Sequence, residues 1–232
     1  AALINSAIDS NASPLELQDL MENQSMTRFV INQREREELE NAWKASGVTC
    51  VVQNTGEEGN GISRLLKRLS NFTYSTDMMS EFVRKAVSPN DILQAKKENR
   101  HALYFTGNGV PLPQDWISVE DELRYISVFF NLGIRMMHLT YNRRNVIGDG
   151  CAETANGGLS DFGRHVVKEM NRVGVIVDIA HSGWQTSLEA AQTSEKPMVA
   201  SHTTVASINK HIRSKPDPVI RAIADTGGYI GI

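Results

Sequence analysis

Two cysteines in 232 residues are too few for a disulfide framework, and Cys50 and Cys151 lie too far apart to form a zinc-ribbon or thiol-redox motif. Long hydrophobic runs are missing as well: no apolar stretch approaches the roughly 18 to 20 residues that span a bilayer. The first residues have neither the basic start nor the apolar core of a signal peptide. These absences predict a soluble protein, cytoplasmic or, after removal of a signal upstream of residue 1, periplasmic or secreted. An excess of basic charge is also lacking. The formal charge is −3, with Lys and Arg interspersed among acids, which excludes the electrostatic footprint of a nucleic-acid surface and leaves a small molecule or peptide as partner. There is no fixed-period repeat, low-complexity tract or linker. At 41% hydrophobic, residues 1–232 are expected to bury one core as a single domain.

Helical and strand-like segments alternate along the chain. Gln33–Ser46 reads as a helix stopped by Gly47, and Val48–Val52 as a buried strand after it. Ile62, Leu65, Leu66, Leu69 and Phe72 recur at helical spacing. Ser88-Pro89-Asn90 reads as a turn, and His101–Phe105 as a short strand. Ser118 with Asp121 resembles a capping box ahead of the stripe Val119, Leu123, Ile126 and Phe130. A strand over Ile134–Thr140 is followed by a polar, glycine-rich loop from Tyr141 to Gly158, a length that is usually functional or mobile. Phe162, Val166, Val167, Met170 and Val173 mark the next helix, Trp184–Ser194 and Pro216–Thr226 two more, and Gly228–Ile232 a last strand. With Leu3–Ile8 taken as the first, seven strands alternate with helices, the pattern of a parallel sheet with right-handed crossovers.

Two of these runs end in histidine: Val175–His181 and Pro197–His202, separated by a helix-length spacer. Neighbouring parallel strands bring both imidazoles to the carboxyl edge of the sheet, where α/β proteins carry their chemistry. The spacing points to a metal site. Asp178, three residues before His181, suits either a supporting hydrogen bond to a ligand or a loop cap. His138 is expected to face helix or core rather than the site, and His165 and His211 to be solvated or packed.

Leu132-Gly133-Ile134-Arg135, Leu139-Thr140-Tyr141-Asn142, Gly158–Gly163, Asn171-Arg172-Val173-Gly174, Val177–His181 and Ser201-His202 occur in the order found in the membrane dipeptidase (renal dipeptidase) family. The stretch Leu132–Ile232 resembles that family of zinc peptidases. The resemblance implies a TIM-like (β/α)8 barrel, truncated here before its eighth strand, with a dipeptide as substrate. It places His181 and His202 on the pair of histidines that binds one zinc, and Arg213 on the arginine that holds the substrate carboxylate. Tyr141 falls on a family histidine that steadies the oxyanion, a position from which a phenol can donate a hydrogen bond. Aligning Ile4–Asp9 with the family's first strand puts Ala7 at a histidine ligand and Asp9 at an aspartate ligand of the other zinc. Thr106, or alternatively Asn108, stands where a glutamate bridges two ions, and neither supplies a carboxylate.

The retained set of His181, His202 and Asp9 suits one zinc, or another divalent metal, better than two, because paired cations need a bridging anion. The resulting expectation is a dipeptidase-like metallohydrolase with a reduced site, in which Tyr141 and Arg213 handle substrate. The alternative is a non-catalytic relative that binds a small carboxylate or peptide, or acts as a structural subunit. A barrel open between its first and seventh strands exposes unpaired edges, so an oligomer or a completing chain segment is expected to fill the gap.

Overall fold

The structure, a computed structural model, describes residues 2–232. The chain forms two compact units. The first comprises the residues up to Gln53 with Leu66–Tyr104, the second Asn54–Leu65 with Phe105–Ile232.

The chain opens with helices α1 (Ala2–Asp9), α2 (Pro14–Ile31) and α3 (Gln33–Ser46). The strand expected over Leu3–Ile8 is therefore corrected to a helix. Ala7 and Ile8 follow Ile4 by three and four residues, which aligns the three on one helical face. Alignment of Ile4–Asp9 with a first strand falls with it. Helix α2 begins at a capping box formed by Ser13 and Glu16. Helix α3 runs between an Asn32 cap and Gly47, whose φ of 68° is the left-handed conformation expected of a helix stop.

Next come β1 (Cys50–Glu57), α4 (Ile62–Met78), β2 (Val83–Ala86), α5 (Pro89–Lys97) and β3 (His101–Asn108). Strand β2 pairs in parallel with β3, from Val83 opposite His101 to Ala86 opposite Tyr104. It restores the count of seven strands that α1 removes. Its sequence, Val-Arg-Lys-Ala, is masked by two central cations. Ser88-Pro89-Asn90 is a helix start rather than a plain turn: Ser88 Oγ accepts from Asp91 N, the Asp91 carboxylate accepts from Ser88 N, and Pro89 opens α5. Ala86, Ala95 and Ala102 pack there with no exposed surface.

The second unit adds α6 (Val119–Asn131), β4 (Met136–His138), α7 (Asp161–Val173), β5 (Ile176–Asp178), α8 (Trp184–Thr193), β6 (Val199–Ala200), α9 (Asp217–Asp225) and β7 (Tyr229–Ile230). Strands pair in the order β3-β4-β5-β6-β7, all in parallel. The α/β class with helices between parallel strands is thus the one read from the sequence. Helix α7 shows how local signals fix an element. Ser160 Oγ accepts from Gly163 N at its start, Gly174 at φ 96° ends it, and Val166, Val167 and Met170 between them are buried. Phe105, Ile126, Phe129, Met137, Ile179 and Met198 fill the core around the strands.

Strands β5 and β6 are shorter than the apolar runs that contain them. The Asp178 carboxylate accepts from Ala180 N at 2.9 Å, a turn that draws the backbone out of the ladder. His181 and His202 consequently sit just past the ends of β5 and β6, on backbone free to bend towards a common point.

Candidate metal centre

Three imidazoles meet in the second unit. His138 ends β4, opposite Asp178 in the β4–β5 register. His181 and His202 follow β5 and β6. One ring nitrogen from each lies within 4.8 Å of the others. The His181 and His202 Nε2 atoms are 3.0 Å apart. A tetrahedral zinc ion with bonds of about 2.0–2.1 Å spaces its ligand atoms about 3.3 Å from one another, so the His181–His202 pair needs a shift of only a few tenths of an ångström to share an ion.

Hydrogen bonds aim the rings. A carbonyl or amide oxygen can only accept, so His181 Nδ1 donates to Asn142 Oδ1 at 2.8 Å and His138 Nδ1 to Gly107 O at 3.2 Å. His202 Nδ1 pairs with Ser201 Oγ at 2.9 Å. A neutral His181 or His138 then carries its lone pair on Nε2, as a metal ligand must. His138 Nε2 lies 3.1 Å from Asp178 Oδ2, yet both atoms are buried and neither completes a well-aligned hydrogen bond. A lone pair set against a carboxylate oxygen is unfavourable, and a proton or a metal ion removes the conflict. The donor set therefore fits a divalent cation.

Charge favours the same state. Burial, reinforced by Arg213, His138 and His202, lowers the His181 pKa to about 3. Burial, together with His138, also lowers that of His202. Both rings are neutral at pH 7 and free to ligate. Asp178 experiences the opposite balance: burial pushes its carboxyl up, but His138 and the Ser201 N–H outweigh that and hold it ionised.

The remaining predicted residues divide between the two units. Tyr141 stacks on His181 with ring centroids 4.1 Å apart. Arg213 donates from Nε to Ala180 O at 3.2 Å and from Nη2 to His202 O at 3.3 Å, which places its guanidinium beside both histidines. The long loop is anchored to the site: Cys151 N donates to His181 O, Asn142 holds the His181 ring, and Arg144 pairs with Asp149 at 2.5 Å. Lys215, which the sequence did not single out, is fully buried and donates to Ser182 O at 2.6 Å, tying the segment after His181 to the one that bears Arg213. Burial lowers its pKa to about 8.

The model of the membrane dipeptidase family, peptidase family M19, matches residues 4–232. The chain belongs to this family. A dipeptidase, verJ, of Clonostachys rogersoniana is 36% identical over 105 residues, which make up 44% of this chain and 27% of that protein. An amidohydrolase from Pseudomonas aeruginosa superposes with a TM-score of 0.76 at 31% identity, over 84% of this chain and 57% of that one. The probable dipeptidase PvdM from the same species gives 0.63 at 25% identity, over 72% and 42%. The chain thus spans well under two thirds of the length of these relatives.

Membership of the dipeptidase family sharpens two differences from the expected site. Asp9, expected at a strand end beside the metal, is the last residue of α1 in the first unit, and the metal-capable group found among the described residues is His138, His181 and His202 without it. His138, set aside in the sequence, is the third member. Its place in the site follows from the β4–β5 register, which sets it level with Asp178 and which the sequence alone does not supply.

The neutral state of His181 has a measurable consequence. The folded protein keeps this ring unprotonated down to about pH 3, whereas an unfolded chain protonates it near 6.5. Between those values the unfolded state binds more protons, so the contribution to stability is full above about pH 6.5 and is lost as the pH falls. Metal-free protein is expected to melt several degrees lower at pH 5 than at pH 8. A His181→Asn variant should narrow that difference, and an unchanged difference would show that His181 titrates normally.

Proposed function

We propose that the protein is a dipeptidase-like hydrolase with one metal ion, zinc, held by His138, His181 and His202. The observation that carries this reading is the convergence of three ring nitrogens within 4.8 Å, a donor set known from catalytic zinc sites that keep a fourth position open. The chemistry such an ion supplies is acidification of a water towards a pKa of about 7 and polarisation of an amide carbonyl.

The chain's own residues would orient the substrate. Arg213 spends one Nε and one Nη2 donor on Ala180 O and His202 O, leaving the rest of its fork for a peptide carboxylate. Tyr141, held against His181, would donate its phenolic hydrogen to the oxygen on which charge develops. The family assignment and the relatives described as dipeptidases support a peptide substrate.

Thr106 in place of a bridging carboxylate favours a second reading, a relative that binds metal and carboxylate without turnover. Dialysis against chelator followed by zinc titration and an assay with unblocked dipeptides separates the two. About one equivalent of zinc with zinc-dependent hydrolysis is expected. Binding without hydrolysis supports the second reading, and absence of binding overturns the histidine site.

A further inference from the structure

Beside His138, the second unit contains a cavity of ≈ 120 Å³, far more than the roughly 10–15 Å³ that holds one water by the same measure. Leu65, Leu112, Phe129, Ile134 and Ile147 supply apolar lining, while Glu58, Asn145, Thr55, Asn60, Gln114 and the more exposed Glu57 supply polar groups. It is walled by the ends of β1 and β3 and by Asn145, Val146 and Ile147 of the loop after β4, and Gly107, whose carbonyl holds the His138 ring, lines it too.

Glu58 is the unusual member. Its carboxylate is half-buried and accepts from Tyr141 N and from the Asn145 side chain. Among the charged groups, His138 alone perturbs it. Among the described residues, no lysine or arginine forms an ion pair with it. Burial raises its pKa, the signature of a carboxylate short of a cationic partner. The surroundings are rigid. Gly109 approaches so closely that a Cβ there would meet the Glu58 backbone at 3.0 Å. The following loop is pinned by buried Glu122, which accepts from Gln114 N at 3.0 Å and Trp116 N at 2.8 Å. A preformed cavity with one apolar wall and a half-buried carboxylate suits a ligand that pairs a short apolar arm with a positive head.

We propose that this cavity is a subsite for a primary ammonium group carried on a short aliphatic arm, with the Glu58 carboxylate, itself held by Asn145, as its acceptor. The inference rests on the hydrolase reading for its relevance to substrate, and names what such a substrate must carry. Two sources share this chemistry: the α-amino terminus of a dipeptide and the side-chain amine of a lysine-like residue. Histidines on one side and Glu58 on the other would then divide the ligand between the metal and the cation subsite.

The test uses n-butylammonium as probe on metal-free protein, so that its outcome does not depend on turnover. Wild type should bind it at millimolar concentration, with amide shifts at Thr55, Val110 and Asn145. Glu58→Gln should weaken binding at least tenfold while leaving n-pentanol binding within twofold. Shifts confined to other regions of wild type, or equal binding by the variant, overturn the proposal without touching the histidine site. With zinc-loaded enzyme, a selective loss for unblocked over N-acetylated dipeptides assigns the α-amino source. A selective loss for lysine-containing over norleucine-containing dipeptides assigns the side-chain source. If the enzyme turns over neither series, the hydrolase reading fails and butylammonium binding still decides the cavity.

Discussion

Replacing His181 with alanine should lower zinc affinity by more than a hundredfold and abolish any zinc-dependent hydrolysis. Loss of a group that merely orients a ligand typically costs 10- to 100-fold in metal affinity, so removal of a ligand itself should exceed that range. His181 is 4% exposed and shares its Nε2 with the His202 contact, so two imidazoles without it cannot enclose an ion. His165→Ala is the matched control, because His165 is exposed on α7. Competition with a chromophoric chelator reads both variants. Zinc affinity within threefold of wild type for His181→Ala would place the metal elsewhere.

The second large effect concerns Asp178, which is fully buried and never touches solvent. Its Oδ1 accepts from Ala180 N at 2.9 Å and from Ser201 N at 3.1 Å, so one carboxylate ties the end of β5 to the start of the segment that bears His202. Asp178→Ala strands the buried Ala180 N–H and the half-buried Ser201 N–H, each costing about 1–3 kcal/mol. The sum, about 2–6 kcal/mol, corresponds to a fall of roughly 5–20 °C in Tm for a chain of this size. Asp178→Asn should be milder, at about 1 kcal/mol, because its amide oxygen keeps both acceptor roles while its nitrogen can donate to the His138 lone pair. Thermal melts of the metal-free proteins check the order. Equal losses for the two variants would mean that the negative charge matters and the bonds accepted from the two backbone N–H groups do not.

Legibility differed between the two halves for physical reasons. From Ser118 onwards, near-continuous apolar runs, serine caps and glycine stops all point to the same elements, and α6, α7, α8 and α9 lie within two residues of their expected limits. Earlier in the chain the signals are weaker or shared. Ala2–Asp9 is apolar enough for either helix or strand, β2 hides two cations among four residues, and a Ser-Pro pair serves turns and helix starts alike. At the site, His181 and His202 were legible because each terminates an apolar run. His138 was not, since its role depends on register against β5, and Glu58 was not, since its significance lies in the cavity around it.

The loop after β4 holds His181 twice, through the ring by Asn142 and through the main chain by Cys151 nine positions later. Deletions or exchanges within that interval would release ring and backbone in a single event. Transplanting this imidazole into another scaffold would accordingly require moving the whole span as one cassette, and chimeras joined inside it should lose the ligand's aim even with every histidine retained.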